Sequence, residues 1–205
     1  MKRVSIADLE PLLARPARPA RFSMAGKELA AVCVPLHEAE GDPQVWLIKR
    51  PDRMRHHSRE IAFPGGKRDH ADADLWATAL REACEELGLD HSALRRLGAL
   101  RPVPTATSRF AIQPYVVEVA GGTVPRPEAR EVAALIRTPL AGFFEGAVPY
   151  RAVDFKTWVS PIFVFPEGAL YGASAHVLQE LLEVYAEASG RELPGPVLTT
   201  EIPWA

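Results

Sequence analysis

Cysteine is scarce in this chain: Cys33 and Cys84 are the only two among 205 residues. One lies in an apolar run and the other on the apolar side of a helical segment. They read as core thiols, which excludes a disulfide framework and leads to the expectation of a reducing compartment. Long hydrophobic runs are also missing. No apolar stretch approaches the ~20 residues of a membrane span, and Met1 to Phe22 is interrupted by acids and prolines where a secretory signal has a continuous apolar centre. The expected location is therefore the cytoplasm, with no membrane partner. Nor is either charge in excess, since 24 Lys and Arg face 26 Asp and Glu for a formal net charge of −2. That balance lacks the basic footprint of a nucleic-acid binder, so any phosphate must be handled by local arginines.

What is present is ordinary globular material, 47% hydrophobic and 24% charged, enough for one domain with a full core. The expected division is an N-terminal helix with a Pro/Arg-rich arm over residues 1–22, a main domain over 23–189, and a Pro-rich tail over 190–205, irregular in structure. Ser5 with Asp8 is a capping signal for a helix through Leu13. Leu29 to Leu36, Gln44 to Lys49, Ala99 to Val103, Ile112 to Val119, Val132 to Arg137, Tyr150 to Lys156 and Pro161 to Phe165 have strand composition. Leu178, Leu181, Leu182 and Tyr185 recur at helical spacing, so Tyr171 to Ala188 reads as a closing amphipathic helix. Strands with one helix in the middle and one at the end imply α/β layers on a mixed sheet.

The chemistry concentrates in the stretch LREACEELG. At 100° per residue Glu82, Glu85 and Glu86 fall within an arc of about 100°, while Trp76, Ala77, Leu80, Ala83, Cys84 and Leu87 take the opposite side. Such a helix is expected to dock on a core without burying its acids. Like charges one turn apart repel, and Arg81 relieves only part of this through Glu85. Oxygen-only ligands select hard ions, which points to Mg²⁺ or Mn²⁺. Upstream, Gly65 and Gly66 follow Phe63-Pro64 and let the backbone come close to a ligand, aiming carbonyls or amides at a metal or phosphate. Arg50, Arg55, Arg59 and Lys67 flank this turn, where they are candidates to grip substrate phosphates. Asp69, Asp72 and Asp74 precede the helix and are suited to its positive N-terminus.

Gly66 followed by Arg81-Glu82-Ala83-Cys84-Glu85-Glu86-Leu87-Gly88-Leu89 resembles the Nudix hydrolase signature, G-x5-E-x7-R-E-U-x-E-E-x-G-U. Asp72 stands where the first Glu is expected, and the run from Gly66 to Arg81 is one residue longer. Both departures are similar to the coenzyme A pyrophosphatase branch. That branch also carries an upstream motif, L-L-x-x-R-S-x-x-L-R-x-H-x-G-E-x-x-F-P-G-G, which Arg50, Arg55, His57, Glu60 and Phe63-Pro64-Gly65-Gly66 match. Arg59 replaces the motif's glycine and Pro51 its serine. Weaker matches are Gln113 to Val117, Glu131-Val132 with Thr138-Pro139-Leu140, and Leu170 to Ala175.

The resemblance implies a Nudix α/β/α sandwich with a loop–helix–loop box, and metal-dependent hydrolysis of the diphosphate of coenzyme A or acyl-CoA to 3′,5′-ADP and 4′-phosphopantetheine derivatives. It implies Glu82, Glu85 and Glu86 as metal ligands, with a carbonyl of Gly65 or Gly66 as another. Arg81 then orients the carboxylates. Glu82 is the first candidate for general base, with Glu131 or Glu128 second. Asp72 is a candidate for an outer role at the metal. The partner is a small CoA-like diphosphate, and a homodimer is compatible with the family. Two alternatives stay open: another nucleoside diphosphate derivative, such as ADP-ribose, NADH or a dinucleoside polyphosphate, and a non-catalytic nucleotide-binding module.

Overall fold

The computed structural model describes residues 3–16, 19–52, 60–106 and 108–203. Helix α1, Ile6–Leu13, begins at Ser5, whose backbone N–H and hydroxyl both donate to Asp8. Its Ile6, Leu9 and Leu13 are buried. Strand β1, Glu28–Ala39, turns through Glu40 and Gly41 into β2, Asp42–Lys49. Both turn residues have positive φ, the twist that suits a two-residue hairpin. Short strands β3, Ile61–Ala62, and β4, Gly65–Lys67, lead to helix α2, Leu75–Leu87. Beyond it come β5, Leu94–Ala99; β6, Val103–Pro104; β7, Phe110–Val119; β8, Ala134–Pro139; and a short helix α3, Leu140–Phe144. The chain continues through β9, Tyr150–Asp154; β10, Val159–Phe165; β11, Gly168–Leu170; α4, Gly172–Ser189; and β12, Val197–Leu198.

The larger sheet is mixed and runs β3-β2-β1-β7-β5, with β4 also on β1, β6 on β7 and β8 on β2. Its one parallel pair among the described strands is β1 with β7, in register from Glu28 opposite Phe110 to His37 opposite Val119. Because successive side chains of a strand face opposite ways, β1 feeds two cores. Val32, Val34 and Leu36 join α1, α4 and Phe163 on one side. Ala31 and Cys33 join Ala79, Ala83 and Leu87 of α2 on the other. The second sheet, β11-β10-β9-β12, packs on α4's side. Helices on both faces of a mixed sheet are the α/β arrangement expected.

Three departures are informative. The strand expected at Ala99 to Val103 is two strands, β5 ending at Ala99 and β6 starting at Val103. β5 begins five residues earlier than the composition suggested and slips register between Arg96 and Gly98, where the backbone of Leu13 leaves no room for a Cβ on Gly98. The tail is not wholly irregular, since β12 pairs in parallel with β9. The third concerns the acids of α2.

Candidate active site

Helix α2 is started by Asp74, whose carboxylate accepts from the Ala77 N–H at 2.8 Å. Asp72, expected to favour the same helix end, does something else. It is buried, with 7% exposure, and takes Arg81 in a two-pronged pair: Nε to Oδ1 at 3.1 Å and Nη2 to Oδ2 at 3.1 Å. The Asp69 N–H donates to Oδ2 as well, at 2.9 Å. These bonds, the Arg81 guanidinium first among them, hold the Asp72 carboxyl well below the usual carboxylate range.

Anchored there, Arg81 reaches three further acceptors. Nη1 donates to Glu82 at 2.9 Å and Glu85 at 3.1 Å, and Nη2 to the Lys67 carbonyl at 3.2 Å. The relief expected through Glu85 is thus shared with Glu82 and Asp72.

The expectation that α2 docks without burying its acids is overturned at Glu86, which is 1% exposed. Its Oε2 accepts the Gly65 N–H at 3.0 Å and its Oε1 faces Arg50 Nη2 at 3.2 Å. Burial pushes the Glu86 carboxyl up to about 7, against the opposing pull of Arg50. Glu82 is also raised, chiefly by burial, with Arg81 working the other way. Glu85 stays in solvent, its side chain 57% exposed.

The glycine turn is fitted to these acids. A Cβ on Gly66 would lie 2.3 Å from Glu82 Oε1, and one on Gly65 would lie 2.4 Å from the Ala31 carbonyl oxygen. The close backbone approach at this turn brings Gly66 to the Glu82 carboxylate and Gly65 to β1. Gly65 presents its N–H to Glu86.

The Lys67 ammonium lies 4.8 Å above the Phe110 ring. Glu131 is exposed and lies close enough to repel the charges of both Glu82 and Glu86. The loop before it is tied to the end of α2 by the Arg126 N–H to the Leu87 carbonyl and the Glu128 N–H to the Glu86 carbonyl. The side chain of Glu128 accepts from the Arg130 N–H. Arg55, Arg59 and His57 lie outside the described residues. Phe110, Tyr115 and Trp158 have protein partners: Lys67 and Arg109 on Phe110, Trp76 and Arg96 on Tyr115, Phe155 on Trp158.

Sequence reasoning missed the Arg50–Glu86 pair and the Tyr171 hydroxyl, which donates to Glu60 at 3.0 Å. The clues were the shared motif positions of Arg50 and Glu60 and the weak match at Leu170 to Ala175.

Among the described residues no three acid, histidine or cysteine side chains stand close enough to hold an ion between them, and Arg81 and Arg50 occupy oxygens of the acids. The donor chemistry nevertheless suits a hard divalent ion. Glu82, Glu85 and Glu86 offer only oxygen, the donor such an ion prefers.

A NUDIX domain model matches residues 27–161, and the chain belongs to the Nudix hydrolase family. It is an enzyme acting on pyrophosphate bonds. Among its relatives, an uncharacterized Nudix hydrolase, NudL, from Enterobacter sp. (strain 638) is 33% identical over 158 residues, covering 74% of this chain and 80% of that one. A NudL from Yersinia enterocolitica is 39% identical over 123 residues, covering 60% of this chain and 62% of its own length. Two solved structures share the fold: a Nudix hydrolase from M. smegmatis, RenU, with a TM-score of 0.54 and 21% identity over 82% of this chain and 90% of that one, and a C. elegans Ap4A hydrolase binary complex, with a TM-score of 0.52 and 14% identity over 79% and 97%.

Proposed function

We propose that this enzyme hydrolyses the diphosphate linkage of coenzyme A or acyl-CoA, releasing 3′,5′-ADP and 4′-phosphopantetheine or its acyl derivative, with Mg²⁺ or Mn²⁺. The observation that carries the reading is the assembly of Glu82 and Glu86 against the Gly65-Gly66 turn, with Arg81 bracketed by the buried Asp72. Asp72, the longer run before Arg81 and the upstream motif ending in Phe63-Pro64-Gly65-Gly66 are the features by which the sequence resembles the CoA-cleaving branch.

In this reading Glu82, Glu85 and Glu86 hold the metal, and Arg81 orients Glu82 and Glu85 through charge-assisted bonds. When bound, the ion neutralises diphosphate oxygens and lowers the pKa of an attacking water. Glu82 accepts the proton from that water as its oxygen adds to phosphorus and the bridging P–O bond breaks. Arg81, which donates to Glu82 at 2.9 Å, holds its carboxylate in place for this role. Glu131 is the second candidate for the base. Arg50, with Arg55 and Arg59 from the adjoining segment, is assigned to substrate phosphates.

The test is to incubate the protein with Mg²⁺ or Mn²⁺ and CoA, acetyl-CoA, ADP-ribose, NADH and a dinucleoside polyphosphate, identifying products by mass. Release of 3′,5′-ADP and 4′-phosphopantetheine is expected. Cleavage of another substrate with CoA untouched overturns the CoA reading in favour of the second one, hydrolysis of a different nucleoside diphosphate derivative. Arg59 in place of the motif glycine favours that alternative. The presence of Arg81, Glu82, Glu85 and Glu86 together argues against a non-catalytic module.

A further inference from the structure

Arg50 follows the last residue of β2, and its backbone N–H donates to the Glu60 carbonyl at 3.0 Å, which fixes where its side chain starts. The guanidinium then crosses to α2 and meets Glu86 Oε1, while Oε2 is taken by the Gly65 N–H. The Glu86 side chain is 2% exposed and that of Arg50 17%. Both oxygens of a buried carboxylate that the reaction assigns to a metal are therefore engaged by the protein itself.

We propose that Arg50 is the internal counterion of Glu86, and that metal and substrate diphosphate load together by exchange of partners. Arg50 leaves Glu86 for the diphosphate as Glu86 turns to the ion. The inference rests on the reading of Glu86 as a ligand. A buried carboxylate needs a cation, and removing its partner without replacement is strongly unfavourable. A guanidinium and a dication drawn to the same carboxylate also repel each other, so the ion displaces Arg50 instead of joining it. The diphosphate gives the displaced guanidinium a second anion, with oxygens that match its fork. Charge is conserved through the exchange. Binding of ion and diphosphate is then reciprocal, each strengthening the other. In the absence of substrate the same pair holds metal affinity down.

The experiment titrates the full-length protein with Mn²⁺ in the absence of nucleotide, following free Mn²⁺ by its EPR signal. Arg50→Gln is expected to tighten Mn²⁺ binding by about tenfold, and Arg50→Gln combined with Glu86→Gln to lose that gain. Arg50→Lys keeps a cation but not the fork; it is expected to tighten binding by about threefold and serves if Arg50→Gln does not fold. Mn²⁺ affinity that is unchanged or weaker in the folded Arg50 variants overturns the exchange, while leaving Glu86 as a ligand if Glu86→Gln alone weakens binding. Unchanged affinity in Glu86→Gln overturns the ligand role, and the exchange with it.

Discussion

Asp72 holds Arg81 through both of its carboxylate oxygens, and Arg81 in turn holds Glu82 and Glu85. The order of the acids therefore depends on a residue that precedes the helix carrying them.

Asp72→Asn keeps the shape and removes the charge that anchors Arg81. Outer partners of this kind typically contribute 10–100-fold, so kcat/KM is expected to fall within about that range while the protein stays folded. Steady-state kinetics beside a thermal melt checks it; activity equal to wild type means the pair does not position the site.

The two glycines separate chemistry from stability. Gly66→Ala pushes against the mobile end of Glu82, so a drop in kcat/KM of about a hundredfold is expected from misplacing a reacting group, with little change in Tm. Gly65→Ala instead meets the Ala31 carbonyl and Val32 of β1. It is expected to destabilise by about 1–3 kcal/mol, as overpacking does. Denaturant melts and kinetics on both variants decide the contrast.

For the base, Glu82→Gln is expected to lower kcat by about 10²–10⁴-fold. Glu131→Gln removes only a neighbouring charge and lowers kcat far less. Rates for the two variants over a pH series are the measurement, and the reverse ranking assigns the proton to Glu131.

His176 sets a pH dependence far from the chemistry. Burial between Phe22 and Trp158, helped by the nearby Arg21, pushes its pKa down to about 4. The unfolded chain, with histidine near 6.5, binds the proton first as pH falls. The stability contributed by neutral His176 is thus fully present above about 6.5 and is lost as pH falls from there towards 4, on the order of 3 kcal/mol in all. Urea melts at pH 7.5, 6 and 5 are expected to show this slope in wild type and to lose that part of it in His176→Gln.

Much of this was legible from residue order. Helix α4 shows its buried stripe of Leu178, Leu181, Leu182 and Tyr185, and α1 shows its capping box, because both signals are local. The box helix and its glycine turn were legible as a motif. Glu86 was not: a helical wheel groups it with Glu82 and Glu85, and its burial is decided by Arg50 from the end of β2 and the amide of Gly65 from β4. β5 was misplaced for a similar reason. Its slip at Gly98 answers to the backbone of Leu13 in α1, 85 residues away, and local composition carries no trace of such a neighbour. Asp72 was read as a helix-end acid because the wheel does not represent the loop that folds it back on Arg81.

The sheet keeps two separate sets of buried side chains, one with α1 and α4 and one with α2. Substitutions such as Leu181→Ala and Leu87→Ala, one in each set, share no partners there and are expected to add in free energy. Repacking the side chains between α1 and α4 is thus expected to leave those packed against α2 in place.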